Sequence, residues 1–234
     1  MSSSRLSASG FYSLYQLAET LQVCCFTGIR LSKAFMIRLV PARDEQSEFW
    51  FIPDPCQRLS GPCFYTVADH SLLNYHIKNK SPPLIPKIEQ NIMLHPDILE
   101  LAREAQFLSV VQNLHRLIRL KKFCFLDHLT RKENSCMDLV LRICFEEQPI
   151  YRSSFDESLP IACQEENIFY RQLMLSSKRL KNALKYLNVE DTCLEQWKEW
   201  SRPVSIGCFR SYWSCQLLSE IEKWQYFEKT AQMT

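Results

Sequence analysis

Apolar residues recur at helical spacing over several stretches of the chain, and those stretches predict its main helices. From Phe11 to Phe26 the recurring positions are Leu14, Leu17, Ala18 and Leu21. The clearest pattern begins near Asp97, where Asp97 and Glu100 form a D-x-x-E start just behind Pro96. Ile98, Leu101, Ala105, Leu108, Val111, Leu114 and Ile118 then trace one stripe. That helix runs to about Lys122, or breaks and resumes through Phe123 to Leu129. A second long helix is expected over Glu165–Leu187, with Phe169, Leu173, Leu180, Leu184 and Leu187 along one side. Shorter helices are expected at Thr192–Trp200 and Tyr212–Lys229.

Period-two alternation and β-branched or aromatic residues mark the strands. Ala34–Val40 and Glu48–Ile52, joined by the polar link PARDEQS, read as a β-hairpin, with a third short strand at Cys63–Val67. Asp138–Phe145 reads as a strand, and Gln148-Pro149 allows a turn into Ile150–Ser153. The prolines of Ser81–Pro86 bar helix in the residues before them and hold that segment extended. The expected fold class is therefore α+β and helix-predominant, a small antiparallel sheet flanked by amphipathic helices. The corresponding domain plan is a flexible tail at 1–10, an α+β portion with the hairpin at 11–80, a Pro-rich linker at 81–96, and a mainly helical portion at 97–234 with one or two strands near 138–153.

Composition narrows the chemistry. Only four glycines occur, isolated from one another, so neither G-x-G-x-x-G nor G-x-x-x-x-G-K-[ST] can be written, which excludes the common phosphate-cradling loops. The eleven cysteines are odd in number, and most sit in apolar runs where thiols behave as small hydrophobes. The N-terminus lacks the apolar region of a signal peptide, so the cysteines are expected to be reduced and the protein nuclear or cytoplasmic, with the nucleus favoured. No stretch reaches the roughly 18 to 20 uninterrupted apolar residues of a membrane span, and no membrane association is expected.

No catalytic grouping emerges, and no cofactor or metal is expected. The closest approaches to zinc-ligand spacing are Cys56-x6-Cys63 and Cys208-x6-Cys215, whose loops are longer than a metal knuckle. His95 precedes a helix start, while His115 and His128 lie beside basic residues. The carboxylate pair Glu165-Glu166 sits where a helix N-terminus favours negative charge, and Glu146-Glu147 at a strand end.

Two features point to binding instead. Arg171, Lys178, Lys181 and Lys185 recur on one expected helix face opposite the leucines, with no acidic residue between Asn167 and Val189. The central helix ends in a second basic cluster of His115, Arg116, Arg119, Lys121 and Lys122. Such stripes neutralise phosphates or meet an acidic partner. The other feature is aromatic: Trp197 and Trp200 lie three apart, and Trp213, Leu217, Ile221 and Trp224 form a helical stripe suited to docking another protein. The expected function is that of a non-catalytic subunit or adaptor of a multiprotein complex, acting through contacts with other protein subunits in a setting of nuclear DNA or chromosome maintenance. The alternatives are a nucleic-acid-binding module using the basic helical faces, and an enzyme whose Cys/His site assembles only in space.

Overall fold

The computed structural model describes residues 21–43, 45, 48–80, 82–84, 92–125, 137–145, 169–188, 204–209 and 211–233. Within them the chain is a mixed α/β protein with three sheets, which corrects the expectation of a helix-predominant fold around one small sheet. Short apolar runs fit helix and strand alike, and here several are claimed by ladder partners distant in sequence. The chain divides into two units. The first takes in the described residues within Tyr15–Val110 and Ser219–Thr234, and the second those within Val111–Leu218.

The first unit opens with a two-stranded antiparallel ribbon, β1 (Leu21–Val23) against β2 (Arg30–Ser32). The sequence pattern places Leu21–Val23 at the end of a helix, whose earlier residues lie outside the described set. The turn between the strands explains the difference, because the Cys24 N–H donates to Ile29 O and the Gly28 N–H to Cys24 O, with Gly28 at φ 72 where a side chain is strained. The expected hairpin is present as β3 (Met36–Arg43) and β4 (Phe49–Pro53), antiparallel, and β5 (Phe64–Val67) pairs with the other edge of β3. Met93 and Leu94, read from sequence as linker, form β6, which lies parallel to β4. Helix α1 (His70–Lys78), not expected from the sequence, starts where the Asp69 carboxylate accepts the Leu72 N–H at 3.0 Å. Phe51, Met36, Leu39, Leu73, Ile98, Ala102 and Phe227 are among the residues of its core.

The central helix α2 (Ile98–Arg119) covers the predicted stripe, but its buried face is broader and shifted, with Leu101 exposed and Ala102, Phe107, Val110 and Leu117 buried, and Lys121 at φ 52 ends the run by entering the left-handed region. The chain then enters strand β7 (Phe123–Phe125) rather than more helix. The sheet of the second unit has the order β7-β10-β8-β9, where β8 is Met137–Phe145, β9 is Phe169–Leu175 and β10 is Val204–Phe209. Leu139, Val140 and Leu141 are consecutive and all fully buried, so β8 is covered on both faces as a central strand. The expected helix over Glu165–Leu187 is corrected in its first half: Phe169–Leu175 pairs parallel with β8 along its whole length. Its burial alternates, with Leu173 and Leu175 inside and Gln172 and Met174 outside, which is the strand period. Helix α3 (Ser177–Leu187) begins only after Ser176, and the left-handed Asn188 closes it. β10 escapes a reading of the sequence because Gly207 interrupts a short apolar run, yet it pairs with both β7 and β8. Helix α4 (Tyr212–Ala231) ends the chain. The expected elements Ile150–Ser153 and Thr192–Trp200 lie outside the described residues, and no helix among those described is long and apolar enough to cross a membrane.

Candidate nucleic-acid interface

Helix α3 is sharply two-sided. Leu180, Ala183, Leu184 and Leu187 are buried and make one face, while Lys178, Lys181 and Lys185 are exposed on the opposite side. The spacing of three and four residues stacks the lysine side chains along one line of the helix surface. At about 1.5 Å rise per residue, the line is about 10 Å long. Asn182 and Tyr186 share the exposed side. Arg171, placed on the same helix from sequence, is instead on β9, where its Nη1 donates to Tyr170 O at 2.8 Å, so the lysine line is a set of three rather than four.

The second basic cluster is also built as a surface. Arg116 lies over the indole of Trp213, its Cζ 5.1 Å from the ring centroid, and Arg119, Lys121 and Lys122 are exposed at the end of α2 and in the turn after it. That turn is pinned to the sheet, since the Phe209 N–H donates to Lys122 O at 3.0 Å. A cation held over an indole face keeps its charge while shedding part of its hydration shell.

The described residues of the two units differ in charge. In the described part of the second, Arg116, Arg119, Lys121, Lys122, Arg142, Arg171, Lys178, Arg179, Lys181 and Lys185 stand against one acidic residue, Asp138, an excess of nine positive charges. In the first, ten Lys and Arg (30, 33, 38, 43, 58, 78, 80, 103, 223, 229) meet ten Asp and Glu (45, 48, 54, 69, 97, 100, 104, 220, 222, 228). Over the whole span Val111–Leu218 the sequence holds sixteen basic and thirteen acidic residues, so the acidic ones concentrate in the stretches outside the described set.

The aromatic stripe expected to dock a partner is largely internal. Leu217 and Ile221 are fully buried, and Trp224 is 8% exposed, packed edge-on against Phe107 with its Nε1 donating to Glu228 Oε1 at 3.2 Å. Helical spacing is the same whether a stripe faces a partner or the chain's own core. Trp213 remains partly exposed, while Trp197 and Trp200 lie outside the described residues.

Sequence reading overlooks His76, which is buried, stacked on Phe26 at 4.7 Å, and without a hydrogen-bond partner at either ring nitrogen. Burial lowers its pKa from the usual 6.5. Its signal in the sequence is only a helical offset of three from Leu73. Among the thiols, burial and the neighbouring Cys24 push Cys25 up to about 12, and burial raises Cys208 too. For Cys24 burial acts upward, but hydrogen bonds from the Thr27 hydroxyl and from the backbone of Phe26, Val67 and Thr27 outweigh it and lower the pKa. The Cys24 side chain is fully enclosed, which denies a substrate access to its sulfur. No group of three or more His, Cys, Asp or Glu side chains able to hold a metal occurs among the described residues.

No family model matches the chain, and no curated protein or solved structure is significantly similar to it.

Proposed function

We propose that this chain is a non-catalytic subunit of a larger nuclear assembly, and that it contributes a nucleic-acid-binding surface carried by the second unit. The observation that carries the reading is the lysine line of α3. Lys178, Lys181 and Lys185 are exposed, aligned and backed by a fully buried apolar face, so the helix can present them without disturbing its own packing. Lysine is a compact, hydrated point charge on a flexible stem, suited to phosphates in any sequence context rather than to planar recognition of one group. Between Asn167 and Val189 the sequence carries no acidic residue, so nothing within the helix offsets its three aligned positive charges. The buried thiols agree with a reducing compartment.

The test is fluorescence anisotropy with a labelled oligonucleotide over about 50 to 200 mM salt. The parent protein is expected to bind with an affinity that falls steeply as salt rises, and the variant K178E/K181E/K185E to lose that binding with its thermal unfolding unchanged. A triple variant that binds as well as the parent removes α3 from the interface and the proposal with it.

A further inference from the structure

We infer that the proline segment beginning at Lys80 is a docking ligand for a protein domain of SH3 type, one with an aromatic-lined groove and acidic side chains at one end. This docking site rests on the subunit reading above and uses none of the residues of the lysine line. The sequence runs Lys80-Ser81-Pro82-Pro83-Leu84-Ile85-Pro86, so a cation stands three residues before the first proline of a P-x-x-P pair, Pro83 and Pro86. Of these residues, Lys80, Pro82, Pro83 and Leu84 are among those the structure describes. Covalent geometry favours polyproline II along the sequence, because each proline fixes its own φ and bars the residue before it from helical values. Ser81, Pro82, Pro83, Ile85 and Pro86 all fall under one restriction or the other, and Leu84 is the exception.

The fold constrains the segment at that exception. The Leu84 N–H donates to Cys25 O at 2.6 Å, which ties the chain to a buried residue of the first unit. Proline has no N–H, so this is the one backbone donor of residues 82–84, and spending it leaves the rings and carbonyls untouched. Lys80 and Pro82 are exposed, Pro83 is half-buried, and Leu84 is 65% exposed. The Pro82 and Pro83 carbonyls accept no hydrogen bond from a described residue. Polyproline II repeats every three residues, so in that conformation Pro83 and Pro86 share one edge and Pro82 and Ile85 the next. Two adjacent apolar edges on a stiff strand are what an aromatic groove takes up, and little ordering entropy is lost in doing so.

Charge decides the rest of the partner. No acidic residue occurs between Ser71 and Ile88, while Lys78, Lys80 and Lys87 do, so the groove that receives the prolines needs carboxylates beside its rings. Neither a tyrosine nor any other aromatic residue follows the prolines as far as Gln90, which removes the handle that a WW-type groove takes beside its proline. A polyanion would meet the same lysines but gain nothing from the prolines.

The experiment titrates the full chain by isothermal calorimetry against a set of purified SH3 domains, with WW domains as a parallel arm and heparin as a polyanion without a groove. At least one SH3 domain is expected to bind. The double variant Pro83→Ala/Pro86→Ala is expected to abolish that binding and to leave heparin and oligonucleotide binding as in the parent. Lys80→Glu, an exposed change that keeps every proline, is expected to weaken the SH3 complex about tenfold through its lost charge-assisted contact. Binding by no SH3 domain, binding by WW domains alone, or either variant binding like the parent overturns the proposal. A proline variant that weakens heparin as much as the SH3 domain overturns it too, since charge alone would then make the contact. Oligonucleotide binding without SH3 binding removes this docking site and leaves the lysine interface standing, and SH3 binding without oligonucleotide binding does the reverse.

Discussion

Removing the Asp54 carboxylate should cost the first unit more stability than any surface change to it, and the bonding around that residue says how much. Asp54 follows β4 and is buried, and its carboxylate is the hub of a turn. It forms an ion pair with Arg38 of β3 and accepts the backbone N–H groups of Arg58 and Leu59, each at 3.0 Å. Arg38 also donates from Nη2 to Leu59 O at 3.2 Å. In Asp54→Ala the guanidinium, whose side chain is 12% exposed, keeps its charge in a poorly solvated site without its counter-ion, and two N–H groups lose their acceptor. Breaking a buried pair on one side costs about 3 to 5 kcal/mol. Arg38→Met should cost less, because the carboxylate that remains still has its two N–H donors. The double variant R38M/D54A should be little worse than D54A alone, since the guanidinium that made the single change costly is gone. Urea unfolding followed by far-ultraviolet circular dichroism measures the three free energies, and amide exchange at Arg58 and Leu59 reports the turn itself. A D54A loss below about 1 kcal/mol, or strictly additive single effects, would refute the view that this turn is held by a buried, mutually dependent pair.

Two further outcomes concern titration and thiol access. His76 is held neutral in the folded state, so its folded pKa lies below the unfolded 6.5 and the unfolded chain binds the extra proton. Its contribution is complete above that unfolded value and is lost as pH falls below it, so the parent should lose stability from pH 6.5 downward while His76→Leu shows a flatter profile, and equal slopes in the two proteins would contradict this. Among the described cysteines, exposed Cys63 should be alkylated at once by a bulky maleimide, whereas fully buried Cys24 and Cys208 should react only on unfolding, and mass spectrometry of the native protein showing early modification at either buried site would refute the packing described.

The elements legible in the residues alone are those whose signal is local and repeated. The stripe from Ile98 to Ile118 spans many turns, so only a helix satisfies it, and α2 covers it. The hairpin of β3 and β4 is legible because its strands are adjacent and joined by a polar link. The lysine line of α3 can also be read, since three charges at helical spacing opposite leucines depend on nothing outside those eleven residues. Long-range packing settles the rest. Phe169–Leu175 satisfies a helical and a strand period about equally, and it becomes β9 because β8 offers it a continuous ladder; Arg171 leaves the lysine face with it. β10, only six residues with a glycine inside, takes a central place because partners on both sides complete its hydrogen bonds. The tryptophan stripe shows the same limit from the side of function. Spacing places Leu217, Ile221 and Trp224 on one face of α4, but whether that face meets a partner or the chain's own core is a property of what packs against it. A period records which residues share a side, and burial is decided by the neighbours that only the folded chain brings there.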